Sequence, residues 1–131
     1  MATLADGYDG WAIAGTADSG PQLLQVAPVG TRMAVWVRSN AMPAGARVIN
    51  TYETVVFFVP PQRRNRVKGK SARDALVAPV RARGFLGSKP SEWTDWVLEL
   101  LGYDPSTDQV VDVFPGSGAV SNAVNEQKEA A

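Results

Sequence analysis

The sequence contains no cysteine and no histidine. Without thiols there is no disulfide and no thiolate metal site, and the redox compartment leaves no mark on the chain. Without imidazole, the commonest general base, the commonest zinc ligand and any Ser-His or Cys-His nucleophile pair are excluded. Chemistry is left to carboxylates or to a cofactor, and no metal is expected. No apolar run reaches membrane-spanning length, and the opening MATLADGYDG has neither a basic leader nor an apolar stretch. The expected location is the cytoplasm, away from membranes.

What is present fits a single domain over residues 1–131, long enough for one core and too short for two. Apolar residues make up 45% and charged ones 20%, a balance that argues against global disorder. The formal net charge of zero hides a strong segregation. Residues 63–89 hold nine cations against Asp74 alone, a net +8, whereas residues 91–131 hold eight acids against Lys128, a net −7.

The apolar patterning outlines an α/β chain. GWAIAG (10–15) reads as a short strand, and Asp18-Ser19-Gly20-Pro21 as the start of a short helix that stops at Pro28. TRMAVWVRS (31–39) and VINTYETVVFFVP (48–60) are the next strands, and the short link between them is compatible with an antiparallel pair. Residues 62–87 lose regularity and form a basic, mobile-looking loop with at most a short helix near Ala72–Val77. Residues 88–128 read as helix, strand, helix. Ser88 or Ser91 caps the first helix, Pro90 suits its start, and Trp93, Trp96, Val97, Leu100 and Leu101 recur at helical spacing before Gly102. QVVDVF (109–114) is a nearly uninterrupted apolar strand, and Gly118–Lys128 a final helix.

Two stretches carry candidate sites. After the strand VVDVF, Gly116 and Gly118 flank Ser117 ahead of the predicted helix. Glycines there allow positive φ and close approach of a ligand to the backbone, and a helix start offers unpaired N–H groups. A dinucleotide pattern of three glycines is not met, because position 121 is Ser121. The basic segment, with Arg63, Arg64, Arg66, Lys68, Lys70 and Arg73, is either a solvated loop or a phosphate-contacting one; nearly all its charges share one sign. Trp93, Trp96 and Trp11 are expected in the core. Glu53, a lone acid in an apolar strand, is expected on the solvent face, with no neighbouring carboxylate for acid–base work.

Together these stretches resemble S-adenosylmethionine-dependent DNA amino-methyltransferases (adenine N6 or cytosine N4) of permuted motif order. The resemblance rests on Lys89-Pro90 opening a helix and on Asp112-Val113-Phe114-Pro115-Gly116-Ser117-Gly118. Upstream, YDGWAIAG, RMAVWVRS and YETVVFF are similar to strands of small methyltransferase-like proteins common in high-GC bacteria and their phages. The resemblance implies an incomplete Rossmann-like methyltransferase sheet with flanking helices. It also implies that Asp112, Phe114, Gly116, Ser117 and Gly118 line an S-adenosylmethionine site, with Lys89 and Pro90 near the methionine end. The basic segment falls where such enzymes often carry target-recognition elements, so DNA is the implied partner.

The departures are equally specific. The family's catalytic tetrapeptide, of the Asp/Asn/Ser-Pro-Pro-Tyr/Phe kind, holds the exocyclic amine of a flipped base. Its expected place is before GWAIAG, and nothing there matches it; Pro60-Pro61 follows the wrong strand. The acid that would bind the ribose hydroxyls has no good counterpart either, since Glu126 and Glu129 fall on the predicted final helix. In the family's sheet the strand bearing the tetrapeptide lies between the glycine-turn strand and the GWAIAG strand. Its loss exposes backbone groups, unless the strands close up, another chain fills the gap, or the fold has been rebuilt. The expectation is a shortened member that does not methylate alone: the cofactor-binding part of a split enzyme, acting with a second chain or as a homo-oligomer. Two alternatives stay open: a catalytically inactive protein of this fold that binds nucleic acid or protein, and a structural component of a phage particle.

Overall fold

Residues 52–58, YETVVFF, place apolar side chains on both sides of an extended chain, since Val55 and Phe57 point one way and Val56 and Phe58 the other. Such a strand is stable only inside a sheet with both faces covered. The computed structural model describes residues 6–65, 71–80, 89–112 and Lys128, and it places this strand, β3 (Tyr52–Phe58), between β1 (Trp11–Thr16) and β2 (Arg32–Arg38). A fourth strand, β4 (Ala75–Ala78), lies beyond β2, giving the order β1-β3-β2-β4. β3 runs antiparallel to both neighbours, whereas β4 runs parallel to β2, so β1, β2 and β4 share one direction. Among the described residues the fold is a small α/β architecture with a mixed four-stranded sheet and one helix packed on each face.

Helix α1 (Ser19–Val26) begins where Ser19 folds back on Thr16: Ser19 Oγ accepts from the Thr16 amide at 2.8 Å. Asp18 sits at the cap position but makes no capping hydrogen bond. The helix approaches β3 closely through Gly20, the one fully buried residue on it. Helix α2 (Ser91–Leu101) covers the other face with Trp93, Trp96, Val97 and Leu100, packed on Ala34, Trp36, Val55, Phe57 and Ala78. It ends as its sequence predicts. Gly102 adopts φ 70°, its amide reaches the Glu99 carbonyl at 3.1 Å, and the Tyr103 amide reaches that of Leu98 at 3.0 Å.

Two indoles tie β4 into the core. Trp36, fully buried, donates from Nε1 to the Ala78 carbonyl at 2.9 Å, and Trp96 donates from Nε1 to the Arg73 carbonyl at 2.6 Å. A buried indole N–H needs an acceptor, and here the carbonyls that bracket β4 supply it. Trp11 is also buried, stacked on Phe58 with ring centroids 6.1 Å apart.

Two sequence expectations are overturned. Residues 75–78 form a strand rather than part of a helix over 72–77, because the β2 backbone offers a ladder: the Val35 amide donates to the Asp74 carbonyl at 3.0 Å. Long-range pairing outweighs the weak local helix preference of so short a segment. Residues 109–112 are not a strand, and 113 and 114 lie outside the described residues. Val110 and Asp112 are half-buried while Gln109 and Val111 are exposed, and among the described residues no strand pairs with the segment. The predicted final helix over 118–128 also falls outside them, except for Lys128.

The contact between Gly20 and Thr54 makes a defined test. A Cβ at Gly20 would lie 2.7 Å from Thr54 Cβ, and Thr54 is held by its hydroxyl donating to the Thr16 carbonyl at 2.8 Å. Gly20→Ala gains about 1 kcal/mol of helix propensity but incurs about 1–3 kcal/mol of overpacking. The clash wins, lowering Tm in a calorimetric melt by about 5 °C. Adding Thr54→Ala, which removes both the hydroxyl and the methyl that the new Cβ would meet, restores part of the loss.

Candidate functional site

Because β1, β2 and β4 run the same way, their carboxyl ends, at Thr16, Arg38 and Ala78, lie at one end of the sheet. Ligands of open α/β sheets gather outside such ends. β3 starts there, placing Glu53 opposite Thr16 on one side and Trp36 on the other. The chain enters α2 at the same place. Lys89, just before the helix, brings its ammonium 2.7 Å from Glu53 Oε1, and Arg38 Nε lies 4.0 Å from Glu53 Oε2. All three side chains are about three-quarters buried.

The surroundings explain why these charges tolerate burial. The Lys89 ammonium lies 5.4 Å from the Trp36 ring centroid and 5.8 Å from that of Trp93, over aromatic faces that attract a cation. Arg38 donates from Nη2 to the Asn50 carbonyl, but its Nε is buried without a hydrogen-bond partner. One acid is thus shared by two cations, which leaves a net positive charge and an unused donor. Beside it, Asn40 fixes the loop after β2 to the end of β4: its amide donates to the Val80 carbonyl at 3.0 Å and accepts from the Val80 amide at 2.8 Å. Pro90 is buried at the cap position of α2.

The residues expected to bind cofactor divide sharply. Lys89 and Pro90 stand at this carboxyl-end cluster, and Asp112 is half-buried at the end of a described segment. Phe114, Gly116, Ser117 and Gly118 lie outside the described residues. Glu53 is not a solvent-facing acid: it is the anionic partner of Lys89. A lone acid in an apolar strand signals a missing cation, and Arg38 and Lys89 were both visible in the chain. What the chain could not show was the packing of α2 on the sheet, which brings position 89 to position 53.

The basic segment also divides. Arg63 holds Asp108 through both guanidinium Nη groups, one of them 2.8 Å from Oδ1, and donates from Nη1 to the Gly102 carbonyl at 3.0 Å. Arg64 lies over the Phe58 ring, 4.8 Å from its centroid, and donates from Nε to the Val59 carbonyl at 3.1 Å. These two arginines therefore secure the chain after α2 and the turn after β3. Arg73 is exposed, while Arg66, Lys68 and Lys70 lie outside the described residues. Among the described residues no group of three Asp or Glu could hold a metal ion, and no helix is long and apolar enough to cross a membrane.

The Arg63–Asp108 clasp gives a pH test. Hydrogen bonds from Arg63, opposed by burial and aided by the Asp104 amide, hold the Asp108 carboxyl below its ordinary range. The native state therefore binds fewer protons than the unfolded chain near that range. The contribution is complete above the unfolded carboxyl pKa of about 4 and is lost as pH falls through the lower native value. Asp108→Asn removes it: at neutral pH the variant unfolds about 1–2 kcal/mol more easily. In urea titrations that gap narrows steadily once pH drops below about 4. Comparison of the chain with family models, curated proteins and solved structures finds no match.

Proposed function

We propose that this chain is a methyltransferase-like protein that binds S-adenosylmethionine and contacts DNA, with a Rossmann-like sheet of which the described strands are part. The observation that carries the reading is the meeting of Lys89, Glu53 and Arg38 at the carboxyl ends of three parallel strands, beside Trp36 and Trp93. The donor set fits the amino-acid end of the cofactor. An α-carboxylate takes a cation with an unused donor, which Arg38 has at its buried Nε, and an α-ammonium takes a carboxylate, which Glu53 supplies. Lys89 and Pro90 are also the residues that the motif resemblance assigns to the methionine end.

When bound, the cofactor supplies an electrophilic methyl group for an exocyclic amine. The chain's own residues orient and neutralise. Glu53 balances Lys89, and the tryptophan rings exclude water from the ion pair, which strengthens it. The residues that would hold the target amine are not among these 131, so methyl transfer requires a motif from outside them. A second reading, a binding protein without catalysis, is favoured by the absence of that tetrapeptide from the sequence.

Titration calorimetry with S-adenosylmethionine tests the cofactor site. Wild type is expected to bind, Lys89→Met to bind at least roughly tenfold more weakly through loss of one charge-assisted contact, and Gly118→Trp to give no heat. No heat from wild type ends the cofactor reading. For DNA, gel shifts of a duplex at about 50 and 200 mM salt should weaken steeply with salt. Alanines at Arg66, Lys68 and Lys70 together should flatten that dependence, whereas no shift at low salt removes DNA from the function.

A further inference from the structure

Arg63 opens the basic segment and Asp108 belongs to the acidic one, so their clasp joins the two oppositely charged parts of the chain. It does so at the surface: the Arg63 side chain is 33% exposed and that of Asp108 23%. The carboxylate takes both Nη groups of the guanidinium, one oxygen to each. A phosphate offers an arginine the same pair of oxygens, so it can replace a carboxylate on that fork without new geometry.

Each partner is also anchored without the other. Arg63 donates from Nη1 to the Gly102 carbonyl at 3.0 Å, a bond that does not involve Asp108. Asp108 Oδ2 accepts the Asp104 amide at 2.8 Å, and Oδ1 takes the Thr107 hydroxyl at 3.3 Å. Opening the clasp therefore leaves neither charge buried and alone, the outcome that makes breaking a buried ion pair costly. Asp104, whose carboxylate accepts the Ser106 amide at 3.0 Å, adds a second negative charge acting on Arg63. The turn after α2 thus holds an acid on the guanidinium much as a phosphate strand would.

We propose that Asp108 stands in for a DNA phosphate on Arg63, so that the clasp is a latch closed in the free protein and opened by DNA. The inference rests on the DNA contact proposed above. A polyanion fits better than a small anion, because Arg63 is followed within seven residues by Arg64, Arg66, Lys68 and Lys70 and faces no acid in that run. Competition from Asp108 lowers the apparent affinity for DNA, since only the open form offers this fork. Opening also frees residues 102–108 from the turn after β3, and these lead directly into 109–112.

Gel shifts of a duplex at about 50 mM salt test the latch, with circular dichroism confirming that each variant is folded. Asp108→Asn should bind about three- to tenfold more tightly than wild type. The double variant Arg63→Ala/Asp108→Asn, which has the wild-type net charge, should lose that gain. Asp18→Asn removes one charge from an exposed acid at the opposite end of the sheet and should not show the gain. Hydrogen exchange of wild type needs no variant: amides of residues 103–108 should exchange faster when DNA is bound. Equal binding by wild type and Asp108→Asn, an equal gain from Asp18→Asn, a gain that survives loss of Arg63, or unchanged exchange over 103–108 each overturns the latch and leaves the DNA reading standing. Absence of any shift from wild type and all variants removes the DNA reading itself, and the latch with it.

Discussion

The structure turns on a strand that cannot be left uncovered. Val55, Val56 and Phe57 are each no more than 2% exposed, and they point alternately to opposite faces of the sheet. One apolar face can be met by a single helix, but two require cover on both sides and a neighbour along each edge. β3 therefore becomes an inner strand, with β1 and β2 beside it, α2 over Val55 and Phe57, and α1 over Thr54. The antiparallel insertion of β3 makes β1 and β2 parallel to each other, and β4 joins them in the same sense.

That single orientation builds the candidate site. Three carboxyl ends at one end of the sheet give a place where loops, rather than hydrogen-bonded ladders, meet the start of α2. Lys89 enters there because α2 must lie on the tryptophan-lined face, and Glu53 receives it because β3 begins there. The cluster is held by packing as much as by charge. Trp36 touches Lys89 through its ring and β4 through its N–H, so one buried side chain joins helix, ion pair and sheet. The Arg63–Asp108 clasp performs a separate task on the chain leaving α2: it fixes residues 102–108 to the turn after β3. Basic residues adjacent in sequence thus have different physical roles, according to whether an acid or a carbonyl lies within reach.

Much of this was legible in the chain. The strands around residues 10–15, 31–39 and 48–60, the tryptophan-bearing helix, its glycine stop and the burial of Trp11, Trp93 and Trp96 all follow from periodicity and from glycine and proline punctuation. The errors share one cause. Residues 72–77 carry a weak helical pattern and 109–114 a strong apolar one, yet a strand exists only where a second backbone accepts it. β2 offered such a backbone to 75–78, and none of the described residues offered one to 109–112. The solvent-facing assignment of Glu53 failed for the same reason, because its partner is 36 residues away along the chain.

The order of side chains along the chain already sets the number and kind of buried surfaces: one strand apolar on both faces, one helix with an aromatic stripe, and no imidazole or thiol to perform chemistry. Those are local properties of side chains, and they survive any arrangement of the elements. Which charges are paired is settled by packing alone. Glu53 with Lys89, and Asp108 with Arg63, join segments separated by whole elements, and ion-pair geometry depends on distances that periodicity does not contain. Packing also decided which strand lies inside the sheet, since β3 is inner only by virtue of the neighbours on both its sides.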